Sequence, residues 1–209
     1  MKIFIAGARA ITRLDDNVKT KLLSIYEKGY DVLVGDAAGI DSVVQKFYAD
    51  RNYPNVTVFA SNGTARNNIG NWTVEHVSVD SGVKGFDFYE KKDIAMATSA
   101  EIGFMIWNGE SKGTLNNIIN LVNQEKTCCV YLDTHKRIFV IDSEQKLKVL
   151  LALCPYCNLG SLAFGFSGVT FFPANNLGFS SIYHAGIQRV SGSLNCSSTF
   201  PVLFPLKGI

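Results

Sequence analysis

The stretch IGFMIWNGESKGTLNNIINLVNQ, residues 102–124, decides the fold. Its first six residues, 102–107, carry no charge and no alternation of polar and apolar side chains. Such a run is typical of a strand that is buried on both faces of a sheet. Residues 108–114 are rich in Gly, Ser, Lys and Thr, which predicts a turn, and residues 115–124 are predicted to form a helix. The stretch therefore predicts a strand that passes through a turn into a helix, as in a βαβ unit.

The same succession recurs along most of the chain. Strands are predicted at residues 2–6, 31–34, 56–60, 102–107 and 127–132, and helices at 14–28, 40–51, 88–99 and 115–124. Strands that alternate with helices of this length form parallel sheets with right-handed crossovers. We therefore predict an α/β fold with an open, doubly wound, Rossmann-like parallel sheet. The polar segment 61–85, rich in Asn and Gly, is predicted to be a flap over the carboxyl edge of the sheet.

The composition changes near residue 148. Residues 149–209 contain only two charged side chains, those of Arg189 and Lys207, but four of the five prolines of the chain. No helical or strand periodicity persists there. We therefore predict one domain, residues 1–148, and an apolar extension, residues 149–209, that is not an independent domain and is typical of a frameshifted or read-through sequence.

Charge and cysteine content narrow the class of protein. Twenty basic and eighteen acidic residues give a formal net charge of +2, which does not favour a nucleic-acid or membrane partner. The apolar run near the N-terminus is shorter than the core of a secretory signal. An odd count of five cysteines argues against a complete disulfide framework. We therefore expect a cytoplasmic protein.

Three of the predicted turns bring Gly or Ala to the carboxyl end of a strand, the edge at which open parallel sheets bind ligands. Small residues let the first amides of the following helix approach an anion, and the helix dipole adds positive charge. The candidates in these turns are Gly7, Ala8, Arg9, Gly35, Asp36, Ala37, Gly39, Asp41, Gly109, Ser111, Lys112, Gly113 and Thr114. Each turn alone is explained equally well as a tight turn or a helix cap. Neither of the nucleotide fingerprints GxGxxG and GxxxxGK[ST] is complete.

Taken together, the segments GDAAGID (35–41), KDIAM (92–96) and WNGESKGT (107–114) resemble the SLOG superfamily, and most of all its YspA/YpsA-related branch. The resemblance covers about residues 1–135. It implies a Rossmann-like fold that binds a nucleotide or a nucleotide-derived ligand, with the turn 109–114 holding phosphate. It also implies a homodimer, and it adds Lys92, Asp93 and Asn117 to the ligand-binding candidates. Trp107 is a candidate for stacking on a base, with a core aromatic as the alternative.

The LOG phosphoribohydrolases of this superfamily carry an Arg before the helix Met and two Glu after the Gly-Thr pair. Here Lys92 has the place of that Arg, and residues 115–117 are Leu-Asn-Asn. A neutral Asn cannot act as a general base or stabilise an oxocarbenium-like centre, which removes about two orders of magnitude in rate. Three other carboxylates, those of Asp41, Asp93 and Glu110, are candidate catalytic groups; for Asp93 and Glu110 the alternative is a solvated surface charge.

The leading hypothesis is a domain that binds a nucleotide or an ADP-ribose-like ligand at the carboxyl edge of its sheet, as a sensor or a weak hydrolase. One alternative is a nucleoside 5'-monophosphate phosphoribohydrolase, and another is a single-stranded DNA binder like DprA. No metal is predicted, and no cofactor besides the nucleotide-like ligand. Cys154 and Cys157 match the active-site tetrapeptide of glutaredoxins, but a poor helix start follows them, so no redox site is predicted there.

Overall fold

The computed structural model describes residues 1–80, 82 and 85–154 of the 209-residue chain. In chain order the elements are β1 (Lys2–Gly7), α1 (Asp16–Glu27), β2 (Asp31–Gly35), α2 (Ile40–Ala49), β3 (Val56–Ser61), β4 (Thr73–Val77), α3 (Phe86–Ser99), β5 (Ile102–Trp107), α4 (Lys112–Asn123), β6 (Cys128–Leu132), a 3-10 turn (Asp133–His135), β7 (Arg137–Ile141) and α5 (Glu144–Ala152). Most of the extension predicted for residues 149–209, including Cys157, lies outside the described residues.

The seven strands form one sheet in the order β4-β3-β2-β1-β5-β6-β7. Neighbouring strands are parallel except for β6 and β7, which are antiparallel. Helices flank the sheet, so the predicted Rossmann-like α/β fold is confirmed. From β1 the chain winds outward to β4, and it then returns to β5 on the other side of β1. The winding direction therefore changes between β1 and β5, where such sheets form a ligand-binding crevice.

The central strands are buried because they are apolar on both faces. Phe4 and Ile5 in β1 and Val34 in β2 are 0% exposed. Helix α1 packs against one face through Val18 and Leu22, one helical turn apart. Parallel strands without alternating polarity require such cover on both sides.

Apart from shifts of one or two residues at several element ends, the structure differs from the predicted elements in two unpredicted strands, one unpredicted α-helix and one helix start. The segment 61–85 contains an edge strand, β4, which its polar composition hid. Strand β7 and helix α5 were not predicted, and β7 makes the sheet mixed. Helix α4 begins at Lys112, three residues before its predicted start, because Ser111 caps it.

Helix α5 runs across the boundary predicted after residue 148. Leu150, Leu151 and Cys154, which follow that boundary, are buried. The position after which charged residues become rare therefore lies inside helix α5 and not at its end. None of the helices within the described residues is long and apolar enough to cross a membrane.

Candidate ligand-binding cleft

A cleft of about 640 Å³ opens at the carboxyl edge of the sheet. Its walls come from the turn after β1, the start of α2, helix α3, and the turn that leads from β5 into α4. The lining residues are Ala6, Gly7, Ala8, Arg9, Ala10, Ala37, Asp41, Gly85, Tyr89, Glu90, Lys92, Asp93, Asn108, Glu110, Ser111, Lys112, Gly113, Thr114 and Asn117. The cleft thus lies beside β1 and β5, where the winding direction changes, and its volume is typical of small-molecule sites.

Glycine allows the turns around the cleft to approach one another closely. Gly39 has a φ of +81°, and a Cβ there would collide with the backbone of Arg9. A Cβ on Gly7 would collide with the carbonyl oxygen of Ile106 and come within 2.8 Å of Ile40. The turns after β1 and β2 are therefore in backbone contact.

The turn before α4 presents the start of that helix to the cleft. The Ser111 Oγ accepts hydrogen bonds from the Thr114 backbone N–H at 3.4 Å and from the Thr114 hydroxyl at 3.0 Å. The Asn108 Oδ1 accepts a hydrogen bond from the Ser111 N–H at 2.9 Å and so fixes the turn. First-turn amides have no acceptor within their own helix. Ser111 satisfies the amide of Thr114, which leaves the amides of Lys112 and Gly113 beside the cleft.

The base-stacking role predicted for Trp107 is wrong. Its side chain is 0% exposed, and its indole N–H donates a hydrogen bond to the Ser111 carbonyl at 3.0 Å. A ring that is fully enclosed has no face available to a base. Trp107 is therefore a core residue, which is the alternative that the sequence left open. Its hydrogen bond to Ser111 stabilises the turn that leads into α4.

Asp41, Lys92 and Asp93 form a charged cluster in the cleft. The Lys92 side chain is only 4% exposed, and its Nζ lies 2.6 Å from the Asp93 Oδ1. Asp41 is 6% exposed, and its Oδ2 accepts a hydrogen bond from the Ala37 N–H at 3.2 Å. A Cβ on Gly35 would lie 2.9 Å from the Lys92 Nζ and would collide with the Asp41 Oδ2. The missing side chain at Gly35 therefore lets both charged groups reach the end of β2.

Burial sets the protonation of this cluster. It raises the pKa of Asp41 to about 6, because the opposing charge of Lys92 offsets only part of the lost hydration and Asp93 adds repulsion. Burial alone would lower the pKa of Lys92, but the carboxylates of Asp93 and Asp41 outweigh it and leave that pKa raised. Lys92 thus stays protonated, whereas Asp41 exchanges a proton in the range where general acids and bases act.

We expect Asp41→Asn to stabilise the protein above about pH 6 and to have little effect near pH 4. The pKa of Asp41 is 3.8 before folding and about 6 after it. The folded state therefore binds the proton more tightly, so stability is greatest at low pH and is lost as the pH rises through 6. A shift of this size corresponds to about 3 kcal/mol in the free energy of unfolding. Urea denaturation of the unchanged protein and of Asp41→Asn between about pH 4 and 7 measures this difference in the free energy of unfolding. The same pH dependence in both proteins would contradict the prediction.

Asp36, predicted to contact ligand, does not line the cleft and instead binds Arg66. The Arg66 Nε and Nη2 lie 2.9 and 2.6 Å from the two carboxylate oxygens. Burial by itself raises the pKa of Asp36, but its hydrogen bonds with Arg66 and the charge of that guanidinium hold the pKa below its usual value. The Asn67 side chain also donates to the Asp36 carbonyl at 2.9 Å. These contacts hold part of the segment predicted as a flap against the end of β2.

Tyr89 lies between the flap and the turn after β1. The Arg66 guanidinium carbon is 4.7 Å from the centre of the Tyr89 ring, and that of Arg9 is 5.5 Å from it. Both distances are within the range of cation–π contacts. The ring therefore links the flap to Arg9 at the rim of the cleft.

Asn117, one turn into α4, is 4% exposed, and its Oδ1 has no hydrogen-bond partner. The residue lines the cleft while this oxygen is enclosed, so the amide must turn towards the cleft for a ligand donor to satisfy it. The neighbouring Asn116 does not enter the lining; its Nδ2 donates to the Glu90 Oε1 at 2.6 Å.

Most of the residues predicted to bind ligand line the cleft. Five do not: Gly35, Asp36, Gly39, Trp107 and Gly109. Gly109, with a φ of +82°, packs near the Cys154 sulfur. The candidate catalytic groups Asp41, Asp93 and Glu110 all reach the cleft.

Sequence reasoning missed Arg66, Tyr89, Glu90 and Asn108. Gly85, Tyr89, Lys92 and Asp93 all line the cleft and have the i, i+4, i+7, i+8 spacing of one helix face, which would have predicted Tyr89. Arg66 had no such signal, because it reaches Asp36 from an irregular segment. Within the described residues, no group of three or more His, Cys, Asp and Glu side chains is placed to hold a metal ion.

The chain shows little similarity to known proteins. No protein-family model matches the sequence, and no curated protein is similar to it. A solved structure, of DNA processing protein A from Helicobacter pylori and described for its single-stranded DNA binding mode, is similar with a TM-score of 0.48 and 13% identity. The match covers 62% of this chain and 64% of that one. The chain thus spans less than two thirds of that protein, and no function follows for it from this similarity.

Proposed function

We propose that the cleft binds the phosphate of a nucleotide or a nucleotide-derived ligand at the start of α4. The backbone amides of Lys112 and Gly113, the Lys112 ammonium and the Ser111 hydroxyl supply the donors, while Thr114 positions the Ser111 hydroxyl through its hydrogen bond. The resemblance of the motifs to the SLOG superfamily and its YspA-related branch supports the same reading. In this proposal the protein is a sensor of the ligand or hydrolyses it slowly.

The observation that carries the proposal is the unpartnered Oδ1 of buried Asn117 beside the start of α4. A helix N-terminus attracts anions, but many proteins have helix N-termini that bind no ligand, so this feature alone does not indicate a site. A buried acceptor without a partner costs about 1–3 kcal/mol, so it favours a ligand that fills the same cleft with a donor. A ribose hydroxyl is such a donor, and in a nucleotide it is close to a phosphate.

Gly113 offers a test that leaves the helix intact. No atom lies within 4 Å of a Cβ built at Gly113, so a side chain fits there. We expect Gly113→Asp to retain the fold, because a carboxylate in the first turn favours the helix dipole. The same charge repels phosphate, and we expect AMP and ADP-ribose to bind about a hundredfold more weakly, measured by isothermal titration calorimetry.

Gly113→Ala is the matched control, since it fills the same space without charge. It should bind the ligands within a few-fold of the unchanged protein. Lys112→Ala should weaken binding, because it removes the ammonium from the same turn. Binding that is equal in the Asp and Ala variants at position 113 would contradict the proposal.

The cluster around Asp41 favours a second candidate, cleavage of the N-glycosidic bond of a nucleoside 5'-monophosphate. A buried carboxyl with a pKa raised to about 6, beside the carboxylate of Asp93, has the properties of a general acid or base. Glu90 and Glu110 add further carboxylates to the cleft. Incubation with AMP, followed by chromatography for free adenine, tests this candidate. Release that persists in Asp41→Asn would exclude Asp41 as the catalytic group.

A further inference from the structure

The cleft contains cations with very different partners. In the lining, Lys92 is paired with Asp93; Arg66, which lies outside the lining, is paired with Asp36. Within the part of the chain that the structure describes, Arg9 and Lys112 have no carboxylate partner. Both line the cleft, Arg9 in the turn after β1 and Lys112 at the start of α4. The cleft therefore has two cations without an ion-pair partner on separate elements, in a lining that also contains the carboxylates of Glu90 and Glu110.

The backbone position of Arg9 is fixed from both sides. The preceding Ala8 N–H donates to the Ile106 carbonyl at 3.0 Å, and the Ile11 N–H donates to the Ala8 carbonyl at 3.1 Å. Gly39 approaches the Arg9 backbone so closely that no side chain fits between them. Arg9 therefore lies in a rigid turn. Because this backbone is already ordered, the entropic cost of binding a ligand is lower.

The side chain of Arg9 is directed by Tyr89. Its guanidinium carbon lies 5.5 Å from the ring centre, and the ring is also contacted by Arg66, which Asp36 orients. Contact through the ring face leaves the guanidinium N–H groups for hydrogen bonds in its plane. A guanidinium in this arrangement suits a phosphate oxygen pair, which it binds with two parallel hydrogen bonds.

We propose that Arg9, together with Tyr89, forms a second anion subsite, so that the cleft prefers ligands with two anionic groups, such as a nucleoside diphosphate, over nucleoside monophosphates. The inference rests on the proposed function, because the first phosphate is the one at the start of α4. Arg9 then decides specificity: it adds affinity only when the ligand carries a second anionic group.

Calorimetry with AMP and ADP tests the inference. ADP should bind at least about tenfold more tightly than AMP, the effect of one charge-assisted hydrogen bond. Arg9→Gln should remove this preference, because ADP should lose much more affinity than AMP. Arg13→Gln is the matched control, because Arg13 is exposed, follows in the same loop and does not line the cleft; it should retain the preference.

Other outcomes overturn the inference in distinguishable ways. Equal affinity for AMP and ADP, or an equal loss for both in Arg9→Gln, would remove the second subsite and leave the proposed function in place. Absence of binding by both nucleotides would remove the proposed function and the subsite with it. Binding of a single-stranded oligonucleotide that depends on Arg9, without binding of ADP, would assign this surface to nucleic acid and also overturn the inference.

Discussion

Lys92→Met is expected to cost about 3–5 kcal/mol in the free energy of unfolding at pH 8, because it leaves the buried carboxylate of Asp41 and the partly buried carboxylate of Asp93 without their cation. Lys92 is 4% exposed, and its Nζ lies 2.6 Å from the Asp93 carboxylate. Its charge also lowers the pKa of Asp41, so removal raises that pKa further. The cost should therefore shrink towards pH 5, where Asp41 is protonated. Urea denaturation at the two pH values measures both effects.

Two variants separate this account from a simple loss of packing. Lys91→Met changes the exposed neighbouring lysine and should leave stability within about 0.5 kcal/mol. The double variant Lys92→Met/Asp41→Asn should recover part of the loss, since one uncompensated carboxylate is gone. If Lys92→Met is as stable as Lys91→Met at pH 8, the buried cluster does not exist as described.

Gly39→Ala is expected to have the second large effect, a loss of about 3 kcal/mol or more, since strain and collision act together. Gly39 has a φ of +81° and a ψ of −131°, a conformation that only glycine adopts readily. An added Cβ would also meet the backbone of Arg9, which cannot move aside as a flexible side chain can. Thermal or urea denaturation measures the loss.

Gly29→Ala is the control for a positive φ without a collision. Gly29 has a φ of +65°, and nothing lies within 4 Å of a Cβ built there. Its replacement should cost only about 1 kcal/mol. Equal losses at positions 29 and 39 would show that the close approach of the turns after β1 and β2 contributes nothing to stability.

The sequence predicted the parts of the fold that depend on local patterns. Strands β1, β2 and β5 were predictable because continuous apolar runs are distinctive, and Gly29 marked the end of α1 as expected. Strand β4 was not, because its edge position leaves its side chains partly exposed and its composition polar. The fold also brought Gly7, Asp41 and Gly113 to one cleft, as the rule for open parallel sheets predicts.

The other features of the site depend on contacts between residues that are far apart in the sequence, and local spacing does not predict such contacts. The Asp36–Arg66 pair joins residues thirty positions apart, and no periodicity marks Arg66. Trp107 was ambiguous because a strand's last residue faces either the core or the ligand edge; the hydrogen bond to Ser111 decides for the core. The raised pKa of Asp41 likewise follows from its burial in the folded chain and from the charge of Asp93 on α3, which its own segment does not reveal.

The most direct test of the central claim is the response of individual backbone amides to a nucleotide. In a ¹⁵N-labelled sample titrated with ADP, the amide signals of Lys112 and Gly113 should shift strongly and saturably, and that of Gly29, in the turn before β2 at the opposite edge of the sheet, should not. Saturable shifts at those two amides would place phosphate at the start of α4. Unchanged signals there, or shifts confined to residues outside the cleft, would contradict the account.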